Sequence, residues 1–66
     1  MTISLPVTDD PDTLGHALYA ALIASGQPNL ACECAFVVRA ARDVGAAFES
    51  VLALTRDADI TFAWEA

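Results

Sequence analysis

The sequence predicts a small α/β domain with the element order β-α-β-α-β, built as two layers with a three-stranded sheet and two helices on one face. Three segments alternate between apolar and polar residues with a period of two, which is typical of half-buried strands. The two other segments carry helix start signals and apolar residues at helical spacing. We expect one domain over residues 1–66, because 66 residues provide only a small hydrophobic core.

The long strand of the predicted sheet covers Leu30 to Arg39. The even-numbered residues of this stretch are all apolar, and the odd-numbered residues include both of its charges, Glu33 and Arg39. Cys, Phe and Val suit a half-buried pleated surface. The alternation therefore predicts a strand whose buried face is formed by Leu30, Cys32, Cys34, Phe36 and Val38.

Two shorter strands are predicted at the ends of the chain. Residues 2–7 form an edge strand, because Pro6 cannot donate a ladder hydrogen bond. The apolar side of this strand is Ile3, Leu5 and Val7. Residues 59–65 form the last strand, and its inward side is Ile60, Phe62 and Trp64.

The first predicted helix follows the first strand. Asp10 is a favourable N-cap, and Pro11 suits the first helical position. The helix ends at about Ser25, since Gly26 is the expected left-handed residue beyond a helix end. Its apolar face is Leu14, Ala17, Leu18, Ala21 and Leu22.

The second predicted helix begins after Asp43 and ends at about Thr55 or Arg56. Its inner side is Val44, Ala47, Phe48, Val51, Leu52 and Thr55. We expect Phe48, Phe36 and Leu18 to be buried together between the helices and the sheet.

The order of elements predicts how the strands pair. Helical crossovers within one sheet join parallel strands with a right-handed connection. Parallel sheets are usually covered on both faces, whereas the second face here would be small and only partly polar. That face is either solvated or packs against a second copy. In an alternative arrangement, the first segment is not parallel, and the long strand pairs antiparallel with the last.

The charge is strongly acidic. Nine carboxylates stand against three arginines, without lysine, and the net charge is −6. This balance argues against binding to nucleic-acid phosphates and allows a basic partner. Helix initiation and solubility also explain acidic clusters. The candidate partner-binding carboxylates are Asp9, Asp10, Asp12, Asp57, Asp59, Glu33 and Glu65.

The sequence also bears on the cellular compartment. It contains no apolar run of about twenty residues, and its start lacks the basic and apolar regions of a signal peptide. We therefore expect a cytoplasmic protein without membrane association. The two cysteines fit reduced thiols better than a disulfide framework.

Neither thiols nor histidine form a recognisable catalytic or metal motif. Cys32 and Cys34 would share one strand face. A closed zinc site needs four ligands, however, and one chain offers only His16 besides the two thiols. Two copies could together supply four thiolates. We instead expect both cysteines to be small buried hydrophobes. His16 is explained by a helical pair with Asp12. We predict no enzymatic activity, no cofactor and no metal.

Apolar side chains beyond the predicted core are candidates for a partner surface. The first helix has almost no polar face, so part of it either packs on both sides or awaits another chain. Trp64 near the chain end is expected to be partly exposed and suited to anchor an interface. The candidate apolar anchors are Tyr19, Ile23 and Trp64.

In size and charge, the chain resembles the small inhibitors that phages encode, among them anti-CRISPR proteins. The resemblance covers the 66-residue length, the net charge of −6 and the absence of lysine, and no residue motif. It implies an interaction module that blocks the basic surface of a nucleic-acid-handling effector, with carboxylates in place of phosphates.

Two other functions are compatible with the sequence. The chain would be a homodimeric structural or accessory protein if its acidity serves solubility only. It would be a small thiol metal carrier if Cys32 and Cys34 bind a soft metal.

Overall fold

The protein is a mixed α/β fold of three helices and a two-stranded parallel sheet, as seen in a computed structural model that describes residues 1–65. The elements in chain order are β1 (Thr2–Pro6), α1 (Pro11–Ala24), α2 (Pro28–Ala40), α3 (Val44–Leu54) and β2 (Thr61–Glu65). The α/β class is as predicted, but the three-stranded β-α-β-α-β layout is wrong because its central strand is a helix.

Both ends of the chain form the sheet. β1 and β2 pair in parallel, with Thr2 opposite Thr61 and Pro6 opposite Glu65. The prediction of parallel terminal strands is confirmed, and the alternative with a central antiparallel strand is wrong. Ile3 and Leu5 of β1 are buried. The opposite sheet face is largely exposed and consists of Thr2, Ser4, Pro6, Thr61, Ala63 and Glu65.

The segment predicted as the long strand lies within α2. Pro28 occupies the first turn of this helix, where proline is favoured because its missing N–H would have no intrahelical partner. The buried residues of α2 are Ala31, Cys34 and Val38, which follow helical rather than strand spacing. Cys32 and Phe36 consequently point outward, and both are exposed.

Side-chain caps define the beginnings of α1 and α3. Asp10 accepts a hydrogen bond from the Asp12 backbone N–H at 3.2 Å, and Asp43 accepts one from the Ala46 N–H at 2.8 Å. Both caps were predicted, and each satisfies a backbone donor that has no partner within its helix. Gly26 follows α1 with φ 76°, in the left-handed conformation expected there.

The core lies between the three helices and one face of the sheet, which α1 and Phe48 of α3 contact. α1 packs against β1 and α2, and α3 packs against α2. Leu18 is buried and Phe48 is half-buried, but Phe36 is 73% exposed, so the predicted burial of Phe36 with them is wrong. Leu52 was also placed inside and is exposed instead. The fully buried large side chains are Leu5, Leu14, Leu18, Leu22, Cys34 and Val51.

None of the helices described in residues 1–65 combines the length and apolar character needed to cross a bilayer.

Candidate functional site

A concave groove lies between α1 and α2. Its volume is about 580 Å³. Tyr19 and Phe36 supply aromatic walls, and Gly15 and Ala35 leave room between the helices. At one end the groove becomes polar, where its lining includes Asp12, His16 and Arg39.

The two helices that form this groove run in opposite directions. Gly15, near the start of α1, lies against Val38, near the end of α2. The lining residues Asp12, His16 and Tyr19 are spaced by four and three positions along α1, and Cys32, Phe36 and Arg39 are spaced in the same way along α2. This spacing forms one stripe on each helix. The polar end and the aromatic end are therefore each built from both helices.

Phe36 stands between two depressions. Besides the α1–α2 groove, it lines a shallower depression of about 330 Å³ together with Cys32, Glu33, Val37 and Leu54. A large aromatic side chain that is 73% exposed loses most of the stabilisation that burial would give. Phe36 is therefore a better candidate for an intermolecular contact than for a folding contact.

The two cysteines lie in different environments. Cys32 is exposed and Cys34 is buried, so the prediction that both are buried hydrophobes is right for Cys34 and wrong for Cys32. Residues two apart on a helix point about 200° apart, so these thiols do not converge on one ligand. Burial, together with the charge of Glu33, raises the pKa of Cys34 to about 11. Nowhere in residues 1–65 do three His, Cys, Asp or Glu side chains gather as metal ligands.

Four of the candidate carboxylates lie at one end of the sheet, which we call the acidic end: Asp9, Asp10, Asp12 and Glu65. The parallel register places Glu65 beside Pro6, and the Val7 N–H donates a hydrogen bond to the Glu65 carbonyl at 3.1 Å. The carboxyl end of β2 thus meets the loop that leads from β1 into α1. All four residues are exposed.

Within the acidic end, Asp10 also has a structural task. The Thr13 hydroxyl donates a hydrogen bond to Asp10 Oδ2 at 2.8 Å, and the Asp12 N–H donates to Oδ1. These donors hold the pKa of Asp10 below its usual value, because they favour the ionised carboxylate. Asp9 and Glu65 accept no side-chain hydrogen bond in residues 1–65 and are free for a partner.

The remaining candidate carboxylates lie apart from the acidic end. Asp57 and Asp59 precede β2, and the Met1 ammonium donates a hydrogen bond to the Asp59 carbonyl at 3.2 Å. They therefore lie at the opposite end of the strands, about 13 Å away for five-residue strands. Glu33 is exposed on α2. The one ion pair found among residues 1–65 joins Arg42 to Asp43 at 3.7 Å.

The predicted apolar anchors do not form a single patch. Tyr19 and Ile23 lie one turn apart on α1 and are each 42% exposed, and Tyr19 lines the α1–α2 groove. Trp64 belongs to β2, where its ring centroid is 4.9 Å from that of Phe48. Trp64 is 46% exposed, as expected from the sequence. Phe48 also packs edge-on against Phe62, with 5.6 Å between ring centroids.

The sequence interpretation missed the outward-facing residues of α2. Phe36, Cys32 and Arg39 all line the α1–α2 groove, but none was a candidate for partner binding, and Cys32 was considered only as a metal ligand. Helical spacing of the buried residues Ala31, Cys34 and Val38 was the signal that identifies the outer face of this helix.

Searches with protein-family models, among curated proteins and among solved structures give no match to this chain.

Proposed function

We propose that the chain is a small non-enzymatic interaction module that binds a basic protein surface with its acidic end. In this proposal the partner is a nucleic-acid-handling effector, and the carboxylates occupy the positions of phosphates. The protein would then be an inhibitor of the kind that phages encode, including anti-CRISPR proteins. Size and net charge support this comparison with phage inhibitors.

The observation that carries the proposal is the register of the sheet. Because Glu65 of β2 pairs with Pro6 of β1, its carboxylate lies at the same end of the sheet as Asp9 and Asp10 in the loop before α1. Exposed carboxylates that lie close together reinforce one another's field, and such a field speeds the approach of a cationic partner. The acidic end is therefore better suited to steering than the same charges dispersed along the sequence would be.

Neither Arg39 nor Arg42 pairs with Asp9 or Glu65 in the described residues. Arg42 lies near Asp43, 3.7 Å from its carboxylate, and Arg39 lines the α1–α2 groove. Asp9 and Glu65 form no ion pair within 4 Å in the described part of the chain. Their charges consequently act on solvent and on any approaching partner.

A nuclease-treated lysate provides the first test. Tagged protein would capture effectors from it, and each captured protein would be purified and loaded with a fluorescent oligonucleotide. If a captured effector is the partner of this chain, the chain should displace the oligonucleotide from that effector. Association should also slow as salt rises, because the Debye length falls from about 10 Å at 0.1 M to about 3 Å at 1 M.

Charge reversals at the two ends of the sheet form a matched pair. Asp9→Lys with Glu65→Lys should lower the association rate at least tenfold, since steering depends on local charge. Asp57→Lys with Asp59→Lys changes the net charge equally at the opposite end and should have a much smaller effect. Equal loss in both double variants would mean that only net charge matters. Salt-insensitive binding that survives all four reversals would overturn the mimicry mechanism.

A further inference from the structure

The α1–α2 groove lacks the negative charge that dominates the rest of the chain. Its charged lining residues are Asp12 and Arg39, which cancel, whereas the whole chain has a net charge of −6. Two copies of such an acidic protein repel each other over most approaches. The groove lining itself therefore carries no net charge, and repulsion between two copies docked there comes from the carboxylates beyond its polar end, Asp9, Asp10 and Glu65.

The two charges are placed so that the groove complements itself. α1 and α2 are antiparallel, and Asp12 on α1 lies at the same end of the groove as Arg39 on α2. A two-fold axis parallel to both helices brings α1 of one copy opposite α2 of the other. Asp12 then faces Arg39 of the second copy, and Arg39 faces the second copy's Asp12. The same operation that pairs one set of charges pairs the other.

The apolar residues match under the same axis. Tyr19 lies seven residues from Asp12, and Cys32 lies seven residues from Arg39, which places both about 10.5 Å along their helices from the charged end. Tyr19 of one copy therefore comes opposite Cys32 of the other. Phe36, at an intermediate level, enters the groove of the second copy. The exposed Phe36 ring and the α1–α2 groove thus lie on the same surface, so the ring of each copy can pack into the groove of the other.

We infer that the chain forms a homodimer through this face, with Phe36 of each copy seated in the α1–α2 groove of the other. The four helices at the interface, α1 and α2 from each copy, then each have antiparallel neighbours, as in common helix bundles. Such pairing also covers the apolar surface that a 66-residue chain cannot cover alone, and small domains often gain stability by oligomerisation.

Sedimentation velocity over a wide concentration range tests this inference. The wild-type chain should pass from monomer to dimer, and Phe36→Glu should weaken dimerisation at least about thirtyfold, the effect of a central interface residue. Because Phe36 is 73% exposed, this variant should keep the wild-type circular dichroism spectrum. Leu52→Glu is the matched control: it adds the same charge at an exposed apolar residue of α3 that lines neither depression.

A charge exchange tests the orientation of the two copies. Asp12→Arg alone sets cations against each other at the interface, and Arg39→Asp alone sets carboxylates against each other, so either change should weaken the dimer. The double variant Asp12→Arg with Arg39→Asp should restore dimerisation toward the wild-type value. A chain that stays monomeric to about 1 mM, a dimer indifferent to Phe36→Glu, or a double variant no better than the single ones would each overturn the inference. Asp12 belongs to the acidic end, but sedimentation measures self-association of the chain alone, so the result does not depend on the function proposed for that end.

Discussion

Gly15 of α1 lies directly against Val38 of α2: a Cβ placed on Gly15 would be 3.2 Å from Val38 Cγ1. This distance is tighter than ordinary van der Waals contact, and Val38 is buried with a side chain that is stiff at χ1. The absence of a side chain at Gly15 therefore sets how closely the two groove helices approach.

Gly15→Ala should destabilise the protein despite the better helix propensity of alanine. Alanine gains about 1 kcal/mol in a helix interior, whereas crowding of a packed core costs about 1–3 kcal/mol. In a Val38→Ala background the crowding disappears, and Gly15→Ala should become stabilising. Urea unfolding of the four proteins in this cycle measures the coupling between the two residues. A purely additive cycle would contradict the close contact.

Phe48 and Phe36 should differ sharply in their contribution to stability. Phe48 is half-buried and contacts Phe62 and Trp64, so Phe48→Ala should lower the free energy of unfolding by about 2–4 kcal/mol. This is a large part of the roughly 3–10 kcal/mol expected for a domain of this size. Phe36→Ala should cost less than about 0.5 kcal/mol when unfolding is measured at concentrations where the protein is monomeric. A reversed ranking would mean that the faces of α2 and α3 are wrongly assigned.

The two thiols should differ in reactivity. Cys32 is exposed and Cys34 is buried, and the raised pKa of Cys34, about 11, lowers its reactive thiolate fraction further. In native protein at concentrations where the chain is monomeric, a thiol reagent should therefore modify one cysteine quickly. The second should react only upon unfolding. Cys32→Ala should remove the fast phase and Cys34→Ala the slow one.

The same pKa predicts a loss of stability at high pH. The folded state holds the Cys34 proton up to a pKa of about 11, against an ordinary value of 9.0, so the unfolded state releases it first. Stabilisation from this group is complete below about pH 9 and is lost as pH rises toward 11. Urea midpoints measured from pH 8 to 11 should fall more steeply for the wild-type chain and Cys32→Ala than for Cys34→Ala. Parallel curves for all three proteins would contradict the burial of this thiol.

Local sequence signals predicted most of the chain correctly. Asp10 with Pro11 marks the start of α1, Asp43 marks the start of α3, and Gly26 marks the end of α1; each depends on the backbone chemistry of a few residues. The alternation of Ile3 and Leu5 in β1 and of Phe62 and Trp64 in β2 was also correctly interpreted. β1 has one buried face, and Phe62 and Trp64 of β2 both pack against Phe48, so the periodicity of each strand follows its structure directly.

The segment from Leu30 to Arg39 was misassigned because two periodicities coexist in it. Its even positions are all apolar, but Ala31, Cys34 and Val38 also fit a helix, and the alternation counted Phe36 as core. A helix that presents an apolar residue outward carries no clean amphipathic signal. The error moved Phe36 and Cys32 inside and thereby concealed the α1–α2 groove. Pro28 is compatible both with the end of the preceding helix, which it cannot continue, and with the start of the next one.

The cap at the start of α1 gives a prediction at low pH. The pKa of Asp10 is lowered mainly by the hydrogen bond from the Thr13 hydroxyl. The hydrogen bond from the Asp12 N–H contributes less. A carboxyl group with a lower pKa when folded contributes stability above its unfolded pKa. That contribution is lost as pH falls through the folded value. The stability of α1 should therefore begin to decline below about pH 4, the pKa of an unfolded aspartate, and the contribution is lost at lower pH, where folded Asp10 is protonated and stops accepting both hydrogen bonds.

Thr13→Val removes the donor to Asp10 Oδ2 and keeps the shape of the side chain. The pKa of Asp10, followed by NMR of its carboxyl carbon, should rise in this variant toward 3.8, the ordinary value. Thr8→Val is a suitable control, because the Thr8 hydroxyl accepts from the Asp10 backbone N–H and makes no bond to the Asp10 carboxylate. An Asp10 pKa that is unchanged in Thr13→Val but raised in Thr8→Val would show that the loop before α1, and not the Thr13 hydroxyl, holds the charged form.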